Sequence, residues 1–284
     1  MKGATAGAAA QALAGRLAAA GIDSARLDAR LLVAEVLGVE PMKVATYPEM
    51  PLTEAQAARL EDLAARRAAR EPMSHILGRR GFWTLSLKVT ADTLDPRGDT
   101  ETVVEAVLDA LADRDRAWRL LDFGTGTGAI LLALLSELPN ATGLGIDKSA
   151  AALAVARDNA ETNGLSRRVE FALGEWGRGL DGCFDAIVSN PPYIPDHEID
   201  ALEPEVARYE PRLALAGGPD GLDCYRALAP DVARLLAPGG VAAIEVGAGQ
   251  AEAVADLLVE AGLEVTGVRR DLAGIARCVT ATKP

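Results

Sequence analysis

Asn190, Pro191, Pro192 and Tyr193 follow one another just past the β-branched pair Ile187-Val188. A residue before proline is driven toward extended backbone, and proline fixes φ and carries no N–H. The Asn190 and Pro191 carbonyls are thereby kept from local turns, and the Asn190 side chain adds an acceptor oxygen and two donors. Rigid acceptors beside an aromatic ring suit a planar NH2 group: the exocyclic amine of adenine or cytosine, or the carboxamide of glutamine. The lone pair of such a nitrogen is delocalised and weakly nucleophilic. Acceptors that take both N–H bonds favour a pyramidal nitrogen as a methyl group arrives, which is catalysis by orientation and electrostatics. No strong general base is needed, and neither a nearby cysteine nor a well-placed histidine accompanies the motif.

A methyl group needs a donor, and a second motif offers a place for one. The run LDFGTGTGAI sets Asp122, Gly124, Gly126 and Gly128 where an apolar stretch gives way to a helical one. Glycine permits positive φ and close backbone approach to a ligand, and a helix start presents free N–H groups. The spacing is GxGxG, not the GxGxxG of pyrophosphate binders. Asp122 would repel a phosphate and attract a cationic amino group. The next apolar run ends at Asp147, nineteen residues after Gly128, where a carboxylate can accept from both ribose hydroxyls. A nucleoside without phosphates, carrying an amino group, points to S-adenosylmethionine. Trp176 follows the third run, placed either to stack on an adenine or to cover the sheet end.

These residues need a scaffold that brings strand ends together. From Ala117 onward the runs RLLDFG, ATGLGID, VEFAL, FDAIVSN and GVAAIEV are apolar and short, with helical AILLALLSEL and AAALAVARDNAETNG between the early ones. That alternation predicts an α/β fold with a mostly parallel sheet and helices on both faces. LEVTGV and ARCVTAT, joined only by RRDLAGI, should pair antiparallel. The tips of successive strands line one crevice, which gathers Asp122, Asp147, Trp176 and Asn190.

The first seventy residues are rich in alanine and leucine and read as helices. Asp23 or Ser24 caps one whose apolar face includes Leu27, Leu31, Ala34 and Leu37, ended by Gly38. Thr53 and Gln56 form a capping box for a helix through Arg70, which Glu71-Pro72 stops. GFWTLSLKVTADTL reads as a strand or hairpin between domains. The expected organisation is a helical domain at 1–74, a hairpin linker at 75–95 and a catalytic domain at 96–284.

The chain has 284 residues and a formal charge of −12, a poor match for bare phosphate backbones. The run RRAAR at Arg66 to Arg70 reads as a solvated helix face. Cys183, Cys224 and Cys278 are widely spaced, and with only His75 and His197 beside them no metal site or disulfide framework is expected. The N-terminal alanine-rich run is too weakly apolar for a signal peptide, and no stretch has the length of a membrane span. The expectation is a soluble cytoplasmic protein without direct nucleic-acid or membrane partners.

DFGTGTGAI, Asp147, Glu175-Trp176 and SNPPYI together resemble the class I S-adenosylmethionine-dependent methyltransferases. EPMSHILGRRGFW, YEPRLALAGGPDGLDCYR (Tyr209 to Arg226) and DLAGIARCV narrow the resemblance to the peptide-chain release factor glutamine methyltransferases, the HemK/PrmC family. It covers the chain from about residue 70 onward. The resemblance implies a Rossmann-like class I methyltransferase sheet of seven mostly parallel strands with a small N-terminal helical bundle, and that bundle is expected to dock the substrate. It implies methyl transfer from S-adenosylmethionine to the glutamine of the Gly-Gly-Gln motif in release factors, leaving S-adenosylhomocysteine. On this sequence Asp122, Gly124, Thr125, Gly126, Thr127, Gly128, Asp147 and Trp176 would bind the donor, with Asn190 beside it. Asn190 and the Pro191 carbonyl would hold the glutamine amide, with Pro192 and Tyr193 packed around it.

The chain departs from the family at LDPRGDTE, Leu94 to Glu101, where Leu-Ile-Pro-Arg-Pro-Asp/Glu-Thr-Glu is usual. Asp95 is expected to face solvent or a partner such as Arg97, because an unpaired buried carboxylate is costly. Gly98 should loosen the loop, and Glu175 stands where the family usually has Asp. Three rival readings share parts of the pattern: a ribosomal-protein glutamine methyltransferase, an adenine N6-methyltransferase, and a non-catalytic donor-binding protein. Asp99-Thr100-Glu101 argues against the first, the acidic charge and scarce aromatics against the second, and intact Asn190 and Tyr193 against the third.

Overall fold

The structure, a computed structural model, describes residues 5–284; positions 1–4 of the expected N-terminal domain lie outside the described residues. The chain divides into two compact units. One runs to Gly78 and includes Glu203–Tyr209; the other comprises Arg79–Leu202 and Glu210–Pro284.

The first unit is helical. Thr5 caps α1 (Ala6–Ala19) with its hydroxyl, and α2 (Ala25–Leu37) stops where Gly38 turns left-handed. α3 (Pro41–Thr46) starts on proline, whose missing N–H is not needed there. α4 (Glu54–Ala68) opens on the expected capping box: Gln56 N–H donates to Thr53 Oγ1 at 3.2 Å and Thr53 N–H to Gln56 Oε1 at 2.9 Å. α5 (Met73–Leu77) follows Pro72. Leu13, Leu17, Leu32, Val33, Leu60 and Leu63 form the core.

Two expectations fail here. Of the predicted face of α2 only Ala34 is buried: Leu27 is 47 % exposed and Leu31 and Leu37 are half-buried, while Ala25, Asp28, Ala29, Leu32 and Val36 are buried. Counting apolar residues misses this face because it carries a charge. That charge meets Arg67, and the second correction follows: RRAAR is a solvated face only at Arg66 and Ala69, while Arg67 is buried and Arg70 half-buried. Arg67 donates to Asp28 Oδ2 at 2.8 Å and to Glu205 Oε1 at 2.9 Å. Arg70 donates to Glu205 and Glu203 at 2.9 Å each, and Arg66 pairs with Glu71. The Asp28 and Arg67 side chains are 4 % and 7 % exposed, so neither charge is compensated by water. Arg67→Ala leaves Asp28 buried without its cation, and a loss of about 3–5 kcal/mol is expected in urea unfolding. An unchanged midpoint would mean the pair contributes nothing net.

The second unit begins with an antiparallel hairpin, β1 (Arg79–Phe82) and β2 (Leu85–Lys88). Its Phe82 and Leu87 enter the core, and Trp83 donates from backbone and ring to Glu101 and Glu137, both at 2.8 Å. A 3-10 turn at Gly98–Thr100 runs into α6 (Glu101–Ala110). Then β3 (Arg119–Phe123), α7 (Ala129–Glu137), β4 (Thr142–Asp147), α8 (Ala150–Thr162), β5 (Val169–Leu173) and β6 (Phe184–Ser189) alternate. Beyond α9 (Pro204–Tyr209), which belongs to the first unit, come α10 (Asp223–Leu235), β7 (Leu236–Glu245), α11 (Ala251–Glu260), β8 (Glu264–Arg270) and β9 (Ala276–Thr282).

Seven of these strands make one sheet in the order β5-β4-β3-β6-β7-β9-β8. The first five are parallel; β9 lies antiparallel between β7 and β8. Leu120, Ala186, Val188 and Ala243 point into one core, Leu121, Ile187, Ala242 and Ile244 into the other. Both faces are covered, which is why these strands read as continuous apolar runs. α7 is buried from Ala129 to Leu135 and is correspondingly apolar all round. The strand order reverses between β3 and β6, the position where open α/β sheets bind ligands at the carboxyl ends of their strands.

Candidate active site

At that reversal Phe123 pairs with Ser189 and with Ile146, so Gly124, Asn190 and Asp147 emerge side by side. Gly124, Gly126 and Gly128 have φ of 68°, 55° and 82°, a region that an L-residue enters only with strain. Their turn delivers Gly128 as the residue that starts α7. Asn159 braces the turn from α8, donating to the Thr127 carbonyl at 2.9 Å while its Oδ1 accepts from Lys88 N–H at 2.6 Å.

Asp122 is 1 % exposed yet borders the cavity in front of the turn. Thr125 Oγ1 donates to its Oδ2 at 2.7 Å, and its Oδ1 has no partner. Burial raises its pKa to about 7; the Thr125 bond opposes this and the Asp147 charge adds to it. A buried carboxylate oxygen without a donor is a place for a cation. Asp147 accepts from Gly126 N–H at 2.9 Å and Ser149 N–H at 2.8 Å, one bond on each oxygen, which orients the carboxylate and leaves further lone pairs for a diol. Trp176 stands edge-on to Phe123, ring centroids 6.4 Å apart, with φ 49°. Positive φ at a bulky residue costs about 1–3 kcal/mol and persists only where the surrounding structure holds it.

Asp122, Gly124, Thr125, Gly126, Thr127 and Asp147 line one cavity, joined by Trp176, Asn190 and Pro192. Gly128, Pro191 and Tyr193 are not on its wall. Asn190 Nδ2 donates to Thr100 Oγ1 at 3.2 Å, which leaves its Oδ1 as an acceptor. Burial pushes the Tyr193 phenol up to about 12, with the Glu245 charge adding, so it serves as a neutral ring.

The segment after the motif is stapled to a second loop. Ile194 N–H donates to Leu215 O at 3.0 Å, Gly217 N–H to Ile194 O at 2.9 Å, and Gln250 Nε2 to Tyr193 O at 3.0 Å. Gly221 sits under Tyr193 with φ 77°, and a Cβ there would lie 2.4 Å from the Tyr193 carbonyl oxygen. Gly221→Ala should displace the Tyr193 backbone and lower kcat by about tenfold or more, since an ångström of misplacement costs on the order of 10² in rate. Steady-state kinetics with wild-type kcat would show that the Tyr193 position is not critical.

Asp95 corrects its expectation in part. It is 4 % exposed and does not face solvent; Arg97 pairs instead with Glu210, and Arg80 approaches Asp95 at 3.8 Å. Asp95 Oδ1 has no partner. Burial raises Glu210 to about 7, opposed by Arg97 and supported by Asp95. Leu94 and Pro96 flank this cluster on the cavity wall. Sequence reading also missed Thr100, Gln250 and Glu245. Glu245 was findable: like Asp122 and Asp147, it is a lone carboxylate closing an apolar run.

Comparisons with known proteins bear on the fold and the family. Residues 8–78 match the PrmC N-terminal domain, and residues 114–269 match a methyltransferase domain. A release factor glutamine methyltransferase of Rhodospirillum rubrum is 53% identical over 94% of this chain and 82% of its own. One from Caulobacter vibrioides is 49% identical over 94% of this chain and 93% of its own. The crystal structure of a methyltransferase from Pyrococcus furiosus shares the fold, with TM-score 0.52 and 16% identity over 82% of this chain and 99% of its own. With both family regions matched and such identity across nearly the whole length, the chain belongs to the release factor glutamine methyltransferase family.

Proposed function

We propose that this protein transfers a methyl group from S-adenosylmethionine to the side-chain amide nitrogen of glutamine in the Gly-Gly-Gln motif of peptide chain release factors. The observation that carries this reading is the Asn190 amide, whose nitrogen is engaged by Thr100 and whose oxygen is left to accept at the edge of the donor cavity. Asp122 Oδ1 would receive the donor's amino group, Asp147 its ribose hydroxyls, and Trp176 its adenine. The bound donor supplies an electrophilic methyl group on a sulfonium. Asn190 Oδ1 and the Pro191 carbonyl would each accept one N–H of the glutamine amide and aim its nitrogen at that methyl. The Tyr193 ring packs against the carboxamide plane. Once methylated, the cationic amide nitrogen loses a proton to water without help from a strong base.

The test is labelled transfer to purified release factor, ribosomal protein and DNA in parallel, with the product located by peptide mass spectrometry. One added methyl on the Gly-Gly-Gln glutamine is expected; label on another acceptor would overturn the substrate. The helical unit is proposed to dock the release factor away from that loop. Unchanged apparent substrate affinity after substituting its exposed face would remove that role.

A further inference from the structure

Glu245 closes β7 and is 2 % exposed, and its Oε2 has no hydrogen-bond partner. Ser189 pairs with Ile244 across β6 and β7, so Glu245 lies level with Asn190. The Thr100 hydroxyl and the Asn190 amide lie near its carboxyl and favour its ionised form. Asn190 Nδ2 also donates to Thr100 Oγ1. Arg277, the cation beside this cluster, is paired with Asp271 at 2.9 Å and Asp99 at 3.1 Å.

These contacts have a direction. An ionised carboxylate only accepts, a hydroxyl donates once and accepts, and an amide can present either end. With Glu245 ionised, Thr100 donates to it and must accept from Asn190, so the Asn190 nitrogen points inward. A protonated Glu245 can donate to Thr100, which then donates to Asn190 Oδ1 and turns the amide around. The reversed amide would present N–H groups to the N–H groups of the substrate.

We propose that Glu245 is a positioning residue for methyl transfer: as an acceptor-only carboxylate it fixes the sense of the Thr100–Asn190 pair and so aims Asn190 Oδ1 at the substrate amide. The proposal rests on the reading of Asn190 as the amide-binding acceptor. It makes turnover sensitive to a proton on a residue that does not itself touch the substrate. Burial raises Glu245 to about 7, opposed by Thr100, Arg277 and Asn190 and supported by Asp99. Burial pushes Tyr193 and Cys278 up to about 12 and Tyr225 higher still, and Arg277 is raised by Asp271 against its own burial.

The experiment measures kcat on purified release factor at saturating donor from pH 6 to 8.5, with donor Kd by calorimetry at each pH. For wild type, kcat should fall about tenfold per pH unit below a pKa near 7. Glu245→Gln should lose about 10- to 100-fold at pH 8, show no further fall toward pH 6, and keep its donor Kd within about twofold. Thr100→Val should lose kcat similarly, and Thr100→Ser should restore both rate and pH profile, which covers the case that the Glu245 variant does not fold. If active wild type and Glu245→Gln give the same rate and the same acid limb, the positioning role is wrong while the substrate assignment stands. A Thr100→Val enzyme with wild-type kcat would overturn it equally.

Discussion

Asn190→Ala is expected to cut methyl transfer by about 10³-fold, the scale seen when one preorganised polar contact to a transition state is removed. Donor affinity should change by less than about threefold, because the buried cation site at Asp122 and the turn that carries the glycines come from β3, not β6. The two acceptors act as a pair, so removing one leaves the glutamine nitrogen both untethered and planar. Asn190→Asp is the sharper variant. It keeps an acceptor oxygen and the volume, but it loses the donor to Thr100 and sets a second carboxylate beside Glu245. It should be as inactive as the alanine variant. Single-turnover kinetics and calorimetry on the same samples separate the two quantities. Loss of donor binding in step with rate would reassign Asn190 to the donor side.

Asp122→Asn is expected to act in the opposite way, weakening donor binding by about 30- to 150-fold, or about 2–3 kcal/mol, the range for a hydrogen bond to a charged group. At saturating donor its kcat should stay within about fivefold of wild type, since the methyl acceptor's contacts are elsewhere. The pH dependence has a definite sign. The free carboxyl titrates at about 7, and a bound cation requires it ionised. Below pH 7 binding must displace a proton, so wild-type Kd should rise about tenfold per pH unit while the asparagine variant stays flat over the same range. Equal slopes for the two proteins would mean that Asp122 does not face the amino group.

What was legible in the sequence was what a strand end or a helix end imposes on its neighbours. Asp122, Asp147 and Asn190 each close a run that is buried on both faces, so their common crevice followed from order alone. The antiparallel pairing of the last two strands followed from a link too short to cross the sheet. What was not legible depends on partners distant in sequence. Arg67 reads as a solvent residue until Asp28 and Glu205, from two other segments, converge on it. Asp95 reads as exposed because nothing nearby in sequence excludes water from it. Thr100 reads only as part of the Asp99-Thr100-Glu101 run, and the folded chain sets it against a side chain ninety residues away.

The position of β9 between β7 and β8 has a consequence for how the protein is made. In chain order β8 precedes β9, so until β9 joins, β7 offers an unpaired edge with Glu245 at its end. The sheet therefore closes by inserting a late segment between two earlier ones, not by adding strands outward. A premature stop only a few codons before Ala276 would delete an interior strand and detach β8 with it.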